Sequence, residues 1–366
     1  MSEKLTMMDY VKESSRLIGD NVKRSYDLTK QLVDLYVERE YKTIWIVASG
    51  SSYNGSYCAR MFMRHYLKTE VKIVTPYTFV NFENDVDESD FVFVVSQSGC
   101  STNAIDALKR LKQTGKLGIG LTGNLNSDFQ DVTDVLIEYG VGVETVGYVT
   151  KGVTTLAEYL MLFSIESALR KKLMTLEEAE TLKLEITQTA KINHEVMVNT
   201  IALFEKNIKT FTSMTNAYTM GCGANFGTVL EGALKIGETV QVPSVAYELE
   251  EFIHGPNLQI TPNYTLFFID GNDISSHRIA EIYHASRAVT DRVFVLSNNP
   301  EIDDEHAVRY TGTVSELLSP LAFLPFFQVI AFLATDKLRI WLKHPLFAEF
   351  QNRVDAKSAS YVHSET

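Results

Sequence analysis

The chain has 366 residues, 45% of them hydrophobic and 11% aromatic, and a formal net charge of −12. It is too long for one ordinary domain and suits two of about 150 residues, and its apolar content excludes wholesale disorder. An acidic surface repels a polyphosphate backbone, so no nucleic-acid partner is expected.

In chain order, residues 8–38 carry apolar side chains at spacings of three and four and predict a helix. TIWIVAS (43–49) predicts a strand, followed by the loop GSSYNGS and the helical YCARMFMRHYL. VKIVTPY (71–77) predicts a second strand and FVFVVS (91–96) a third, which leads through SQSGCST into a helix ending near Gln113. LGIGLTG (117–123) and DVLIEYG (134–140) complete five strands, and a long helix starts near Thr150. A charged helical stretch, residues 172–210, then links to a second round. There AYTMGCGANFGTVLEGALKIGETV (217–240) reads as strand, Gly-rich turn and helix, with strands at YTLFFID (264–270) and RVFVLSN (292–298). LLSPLAFLPFFQVIAFLAT is the nearest approach to the roughly 18 apolar residues of a membrane span. Its two prolines and the helical rhythm after Pro325 predict a buried core helix instead, so no membrane partner is expected. The polar last segment, from His344, is either a frayed tail or an arm that packs elsewhere.

Strands alternating with helices at this spacing predict an α/β fold: two tandem doubly wound parallel sheets, flavodoxin-like, with helices on both faces. The expected division is a helical segment 1–38, a first domain 39–175, a helical linker 176–210, a second domain 211–345 and a tail 346–366. The polar start argues against a signal peptide. Cys58, Cys100 and Cys222 form no disulfide framework, which fits a reducing cytoplasm. The eight histidines show no HxxxH or HExxH spacing, so no metal site is predicted.

In an open parallel sheet, ligands sit at the carboxyl ends of the strands. Both hydroxyl-rich turns, GSSYN (50–54) and SQSGCST (96–102), fall there and each precedes a helix. Unpaired N–H groups and a partial positive charge at helix starts suit an anion. Ser51, Ser52, Ser96, Ser98, Ser101 and Thr102 add donors without charge, and Gly99 allows close approach of the backbone. Ser101 or Thr102 alone would read as a helix cap; the two turns together point to a phosphomonoester. Neither a GxxxxGK[ST] loop nor a GxGxxG fingerprint is present.

A second constellation is LEGALKIGETVQVPSVAYELEEFIHGPN (230–257). Glu231, Lys235 and Glu238 recur at four and three and share one helix face, expected at a sheet's ligand-binding edge. By itself this is also the pattern of a solvated ion-pair row. His254, in HGP, sits outside regular structure, where a lone histidine is also often a surface residue. A poised carboxylate plus an imidazole would suit proton transfer beside a carbonyl.

SGSSYN, SQSGCST, TKGVTT, LEGALKIGE, FIHGP and the terminal DAKS together resemble the successive motifs of sugar isomerase (SIS) domain proteins. The layout is most similar to the isomerase half of glucosamine-6-phosphate synthase, over about residues 40–360. Glu238 and His254 keep the synthase's spacing of 16 residues. No cysteine lies near the start, so a glutaminase of the synthase type is not expected, and Cys100 stands where the synthase motif has a glutamate. Finer details (TPYTF, SQSGCSTNAI, GYVTKGVTTL, EEFIHGPNLQ) resemble bacterial glucoselysine-6-phosphate and fructoselysine-6-phosphate deglycases.

The resemblance implies that the phosphate of a sugar 6-phosphate lies on Ser51, Ser96, Ser98, Ser101 and Thr102, with Ser52 and Gln97 touching phosphate or sugar. It implies that Glu238 moves a proton between C1 and C2, tuned by Glu231 and Lys235. His254 would open the sugar ring from a neighbouring subunit, which implies a homodimer or larger assembly. Lys357 would form a Schiff base, take the sugar by transimination or only hold it; alone it would read as a solvated tail lysine. No cofactor is implied, because imine and enolamine chemistry needs only acids, bases and a phosphate anchor. The alternatives are an aldose–ketose isomerase, an aminosugar-phosphate deaminase and a non-catalytic sugar-phosphate sensor. YELEEF (247–252) would suit a lysine ammonium or equally be a solvated loop.

Overall fold

FVFVV, an unbroken apolar run, forms the central strand of a sheet buried on both faces, as parallel strands flanked by helices require. The computed structural model describes residues 5–354 and 356–361. The chain divides into two compact units, one holding the residues up to Arg16 with Glu185–Trp341, the other Leu17–Leu184 with the residues from Leu342 onward.

The unit of Leu17–Leu184 is built on β1 (Thr43–Ala48), β2 (Glu70–Val74), β3 (Asp90–Val95), β4 (Ile119–Thr122) and β5 (Val135–Glu138). These strands are all parallel, in the order β2-β1-β3-β4-β5. Alternate residues point to opposite faces: Trp45, Val47, Val92 and Val94 join Ala104, Leu108 and Leu111 of the Thr102–Gln113 helix in one core cluster. The Lys151–Arg170 helix is buried along almost its whole length. It packs closely on the Ser51–Leu67 helix, where a Cβ on Gly55 would come within 2.9 Å of the Val153 carbonyl.

The other unit holds β6 (Ala217–Gly221), β7 (Ser244–Glu248), β8 (Thr265–Ile269), β9 (Val293–Leu296) and β10 (Ala307–Val308). Its order, β10-β9-β8-β6-β7, is again all parallel and is the same winding as the first sheet. Along β8, Phe267 and Ile269 enter one core cluster, while Leu266 and Phe268 enter the cluster on the other face. The predicted fold class is therefore the observed one.

The apolar stretch near Pro325 is the Ser319–Leu338 helix, the one described helix long and apolar enough to cross a membrane. It is mostly buried here, with Phe323, Phe326, Phe327 and Ile330 inside the core of the second sheet. A Cβ on Gly232 would sit 2.5 Å from the Phe327 ring, so that glycine sets how closely two helices approach.

Several local expectations are corrected. The single helix 8–38 is two, Met7–Lys23 and Ser25–Val37, interrupted at Arg24. VKIVTPY ends as a strand at Val74, because Pro76 opens the short helix Pro76–Asn81. β7 and β10 carry too little alternation to be read from the sequence and are held by pairing to β6 and β9. The polar tail is an arm that packs, as described below.

Glu158, on the Lys151–Arg170 helix, is fully buried. One carboxyl oxygen accepts from Asn21 Nδ2 at 3.0 Å, and the other has no partner among the described residues. Burial holds its pKa well above the usual carboxylate range, against the lowering effect of Asn21 and Arg24. A group raised in the folded state binds more protons folded than unfolded, so its contribution to stability declines as pH rises above the ordinary carboxylate range. Glu158→Gln is expected to flatten this decline. In scanning calorimetry from the ordinary carboxylate value of 4.5 upward, the variant should gain stability relative to the parent as pH rises.

Candidate active site

β1 and β3 pair directly, with Ala48 opposite Val95, so the turns that follow them lie side by side at one sheet edge. Asn103 Nδ2 donates to Ser49 Oγ at 3.1 Å and ties the two turns together. In the first turn Gly50 takes φ +57°, and Ser51 and Ser52 begin the Ser51–Leu67 helix, both buried. In the second, Gly99 takes φ +64°, a left-handed conformation that favours glycine. A Cβ there would lie 2.5 Å from the Ser127 Cβ and collide with its hydroxyl. The Gly99 amide donates to the Ser96 carbonyl at 3.0 Å and its carbonyl accepts from the Phe129 amide at 3.1 Å.

Ser101 stands at the N-cap of the Thr102–Gln113 helix, yet its hydroxyl makes no capping bond. Instead it accepts from Ser96 Oγ at 3.3 Å and from Lys357 Nζ at 3.0 Å. Lys357 also donates to Ser98 Oγ at 3.1 Å. The structure thus brings Ser96, Ser98, Ser101 and Lys357 into one cluster. The arm is held by its backbone: Thr102 N donates to Ala356 O at 3.4 Å and Ser358 N to Cys100 O at 2.9 Å. Ser360 Oγ hydrogen-bonds Asp128, and the Lys357 ammonium lies 4.9 Å from the centre of the Tyr361 ring. Asp355, the first residue of the DAKS motif, lies outside the described residues. Burial lowers the Lys357 pKa, which enlarges the fraction of neutral, nucleophilic amine; Cys100 opposes the shift.

The side chain of Gln97 turns to Glu144, whose carboxylate accepts from Gln97 Nε2 and from the backbone N–H groups of Thr150, Lys151 and Gly152. Sequence reasoning passed over Glu144; its signal was an acidic residue six positions ahead of TKGVTT, where a helix starts.

In the other unit, Lys235 is fully buried between two carboxylates. Its ammonium is 3.1 Å from Glu231 Oε1 and pairs closely with Glu238. Burial alone would lower its pKa; Glu231 and then Glu238 outweigh this and leave it raised, so it stays a cation. The row is therefore a buried Glu231–Lys235 pair with a partly exposed Glu238, and no solvated ion-pair row. The Phe226–Lys235 helix ends in one turn of π-helix, Ile236–Val240, which carries Glu238 half-exposed. Such turns are uncommon and concentrate at functional sites.

The expectation that this face lies at the ligand-binding edge of its own sheet is corrected. The helix runs back from the end of β6 toward the start of β7, whose Ser244 pairs with Ala217, so Glu238 stands near the amino edge. His254, just past β7 at the C-cap of Leu249–Ile253, is exposed at the carboxyl edge. Between them in the chain lies β7, five residues and about 16 Å long. Of the acidic YELEEF residues, Glu248 caps a helix through the Glu250 and Glu251 amides and Glu250 pairs with Arg278 at 2.7 Å.

The equivalent carboxyl edge of the second sheet is acidic. Asp270, fully buried after β8, accepts from Ser276 Oγ and Ser297 Oγ, both at 2.6 Å. Asp273 accepts from Ser275 N at 2.7 Å. The start of the Ser276–Arg287 helix thus has its own negative charges and disfavours a phosphate. Burial first, with Asp273, Glu248 and Asp270, pushes the Cys222 thiol up to about 11, so it is no thiolate at neutral pH.

Residues 39–165 match the family model of the SIS domain. Beyond that domain, the chain is homologous to the isomerase part of glutamine–fructose-6-phosphate aminotransferase. It is 24% identical over 343 residues to that enzyme from Caldanaerobacter subterraneus, covering 91% of this chain and 54% of the relative. With the Encephalitozoon cuniculi enzyme it shares 26% over 265 residues, 72% of this chain and 36% of the relative. The chain spans about half the length of the first two bacterial relatives, 54% and 56%. A Clostridium difficile 630 protein proposed to be a phosphosugar isomerase has the same fold, with TM-score 0.88, 22% identity and coverage of 97% of this chain and 99% of that one. The C-terminal domain of glucosamine-fructose-6-phosphate aminotransferase from Francisella tularensis gives TM-score 0.81 at 20% identity, covering 92% and 97%.

Gly99→Ala is expected to cost about 2 kcal/mol or more, from left-handed backbone strain and the collision with Ser127. Urea unfolding should read this loss, and titration calorimetry with glucose 6-phosphate should show weakened binding.

Proposed function

We propose that this chain is a sugar-phosphate deglycase. It takes a phosphorylated sugar–amine adduct of the glucoselysine or fructoselysine 6-phosphate type and, with water, gives a hexose 6-phosphate and the free amine. The observation that carries this reading is the Lys357 ammonium on the Ser98 and Ser101 hydroxyls. An amine of lowered basicity is thereby held at a turn made for a phosphate. By accepting from the ammonium, each hydroxyl keeps its own proton free to donate to a phosphate oxygen.

The phosphate is assigned to the start of the Ser51–Leu67 helix and to Ser96, Ser98, Ser101 and Thr102. Glu238 is the base that shifts a proton between C1 and C2. Lys235 orients its carboxylate, and Glu231 balances the buried cation. The shift turns the amine-bearing carbon into an imine; water adds to the C=N bond, and the C–N bond breaks with protonation of the leaving amine. Lys357 is the group that would exchange onto that imine and release the amine before hydrolysis. His254 is assigned to ring opening. Within one chain it follows the carboxyl end of β7 while Glu238 precedes the amino end, so the length of a strand of about 16 Å lies between them. Its ring is therefore assigned to the site of a second copy, which makes the active unit a homo-oligomer. The departing lysine ammonium has Glu251 as its acidic neighbour, since Glu248 and Glu250 are engaged.

Purified protein should release hexose 6-phosphate and lysine from glucoselysine 6-phosphate or fructoselysine 6-phosphate in a coupled assay. Glu238→Gln should lower turnover on the order of 10²–10⁴-fold with binding retained. Turnover confined to glucosamine 6-phosphate would replace the deglycase by a deaminase, and turnover confined to free hexose phosphates by an isomerase. Tight binding without turnover of any of them would make the chain a sensor.

Borohydride reduction during turnover should trap the sugar covalently on the parent protein. Lys357→Arg, which cannot become a neutral amine, should show no adduct by mass spectrometry. An unchanged adduct in this variant would remove Lys357 from the covalent role.

A further inference from the structure

Gln97 lies between the two serines whose hydroxyls form the cluster around Lys357, so its placement decides theirs. Its backbone carbonyl is pinned by the Gly123 amide at 2.9 Å and by Thr122 Oγ1 at 3.1 Å. Its side chain reaches away from the hydroxyls, onto Glu144. That carboxylate is bound from two directions. Oε2 takes Gln97 Nε2 and the Gly152 amide, the latter at 3.2 Å; Oε1 takes the Thr150 and Lys151 amides at 2.8 and 2.9 Å. One side chain thus satisfies three N–H groups at the start of the Lys151–Arg170 helix and holds the phosphate turn to it. The far side of the Gln97 amide is closed by Gly152, where a Cβ would lie 2.6 Å from Gln97 Cδ and Nε2.

From this arrangement we infer that Glu144 is a positioning residue of the sugar-phosphate site, acting through Gln97 to hold the Ser96–Ser98 segment. It touches no substrate. Gln97 is accordingly a strut whose amide Nε2 is committed to Glu144, while its buried Oε1 has no partner among the described residues. Four N–H donors hold the Glu144 carboxyl in place, while burial raises its pKa against their lowering effect and so disfavours a charge beside the phosphate. The alternative, a plain helix cap with no influence on the turn, predicts that Glu144 affects stability alone. This inference rests on the proposed phosphate site.

The test is titration calorimetry of the full chain with glucose 6-phosphate, with thermal unfolding run alongside. Glu144→Gln replaces an acceptor by an N–H group facing the donors of Gln97 and Gly152. It should weaken binding about tenfold or more, the scale of a lost charge-assisted hydrogen bond. Gln97→Ala should weaken it by a similar factor, and the double variant no further than the worse single one, because both act through one contact. Gly152→Ala leaves Glu144 intact but pushes the end of the flexible Gln97 side chain aside; it should weaken binding with little loss of thermal stability. This variant decides the matter if Glu144→Gln does not fold. Glu158→Gln, on the same helix and away from Gln97, should bind as the parent does. In turnover, the positioning role appears as a raised KM with kcat largely kept. Parental affinity in folded Glu144→Gln or Gly152→Ala, or multiplying losses in the double variant, would overturn the inference while leaving the phosphate site standing. Failure of the parent itself to bind any sugar phosphate would bring down both.

Discussion

The parallel pairing of β1 with β3 is the constraint on which the site depends. Two adjacent parallel strands end at the same edge, and each hands its chain to a helix that starts there. The first residues of both helices therefore converge, bringing the positive ends of two helix dipoles with them. The serines add hydroxyls there. Glycines at positions 50 and 99 supply the positive φ angles that turn the chain this sharply. The convergence of the two turns is thus a by-product of strand order, refined by small residues.

The same winding occurs in the second sheet with the opposite electrical character. After β3 the chain places neutral hydroxyls and receives a lysine from its own arm; after β8 it places Asp270 and Asp273, which bind the local donors internally. A repeated fold has therefore been given two different edges, one lined by neutral hydroxyls and one by carboxylates. What the second unit contributes lies elsewhere, in the buried Lys235 held by Glu231 and Glu238. Burying a cation is tolerable only with carboxylates beside it. The pairing fixes the direction of the Glu238 carboxylate, and the π-helical turn leaves it partly exposed.

Legibility in the sequence varied with how local the cause was. Strands such as FVFVV and helices with a clear period were read near their true bounds, because burial on both faces or one writes itself into residue type. The turns SGSSYN and SQSGC announced themselves through small hydroxyl residues between strand and helix. The break at Arg24, the end of β2 at Val74 and the existence of β7 and β10 were not evident, since they depend on what the segment meets in space. Glu144 escaped notice for the same reason: nothing in its neighbourhood says that a glutamine 47 residues away will meet it. Its value comes from closing two elements that only the fold brings together.

By itself the sequence determined the two rounds of parallel α/β structure, the hydroxyl-rich turns and the shared helix face of Glu231, Lys235 and Glu238. Those follow from periodicity and residue chemistry within short stretches. Tertiary structure alone decided that the polar last segment is an arm carrying Lys357 onto Ser98 and Ser101, that Ser101 leaves its helix uncapped to meet it, and that Glu238 and His254 stand at opposite edges of one sheet. The physical reason is distance along the chain. A hydrogen bond between residues 256 positions apart has no local pattern, and a helix that reverses direction puts neighbours in sequence at opposite ends of the fold.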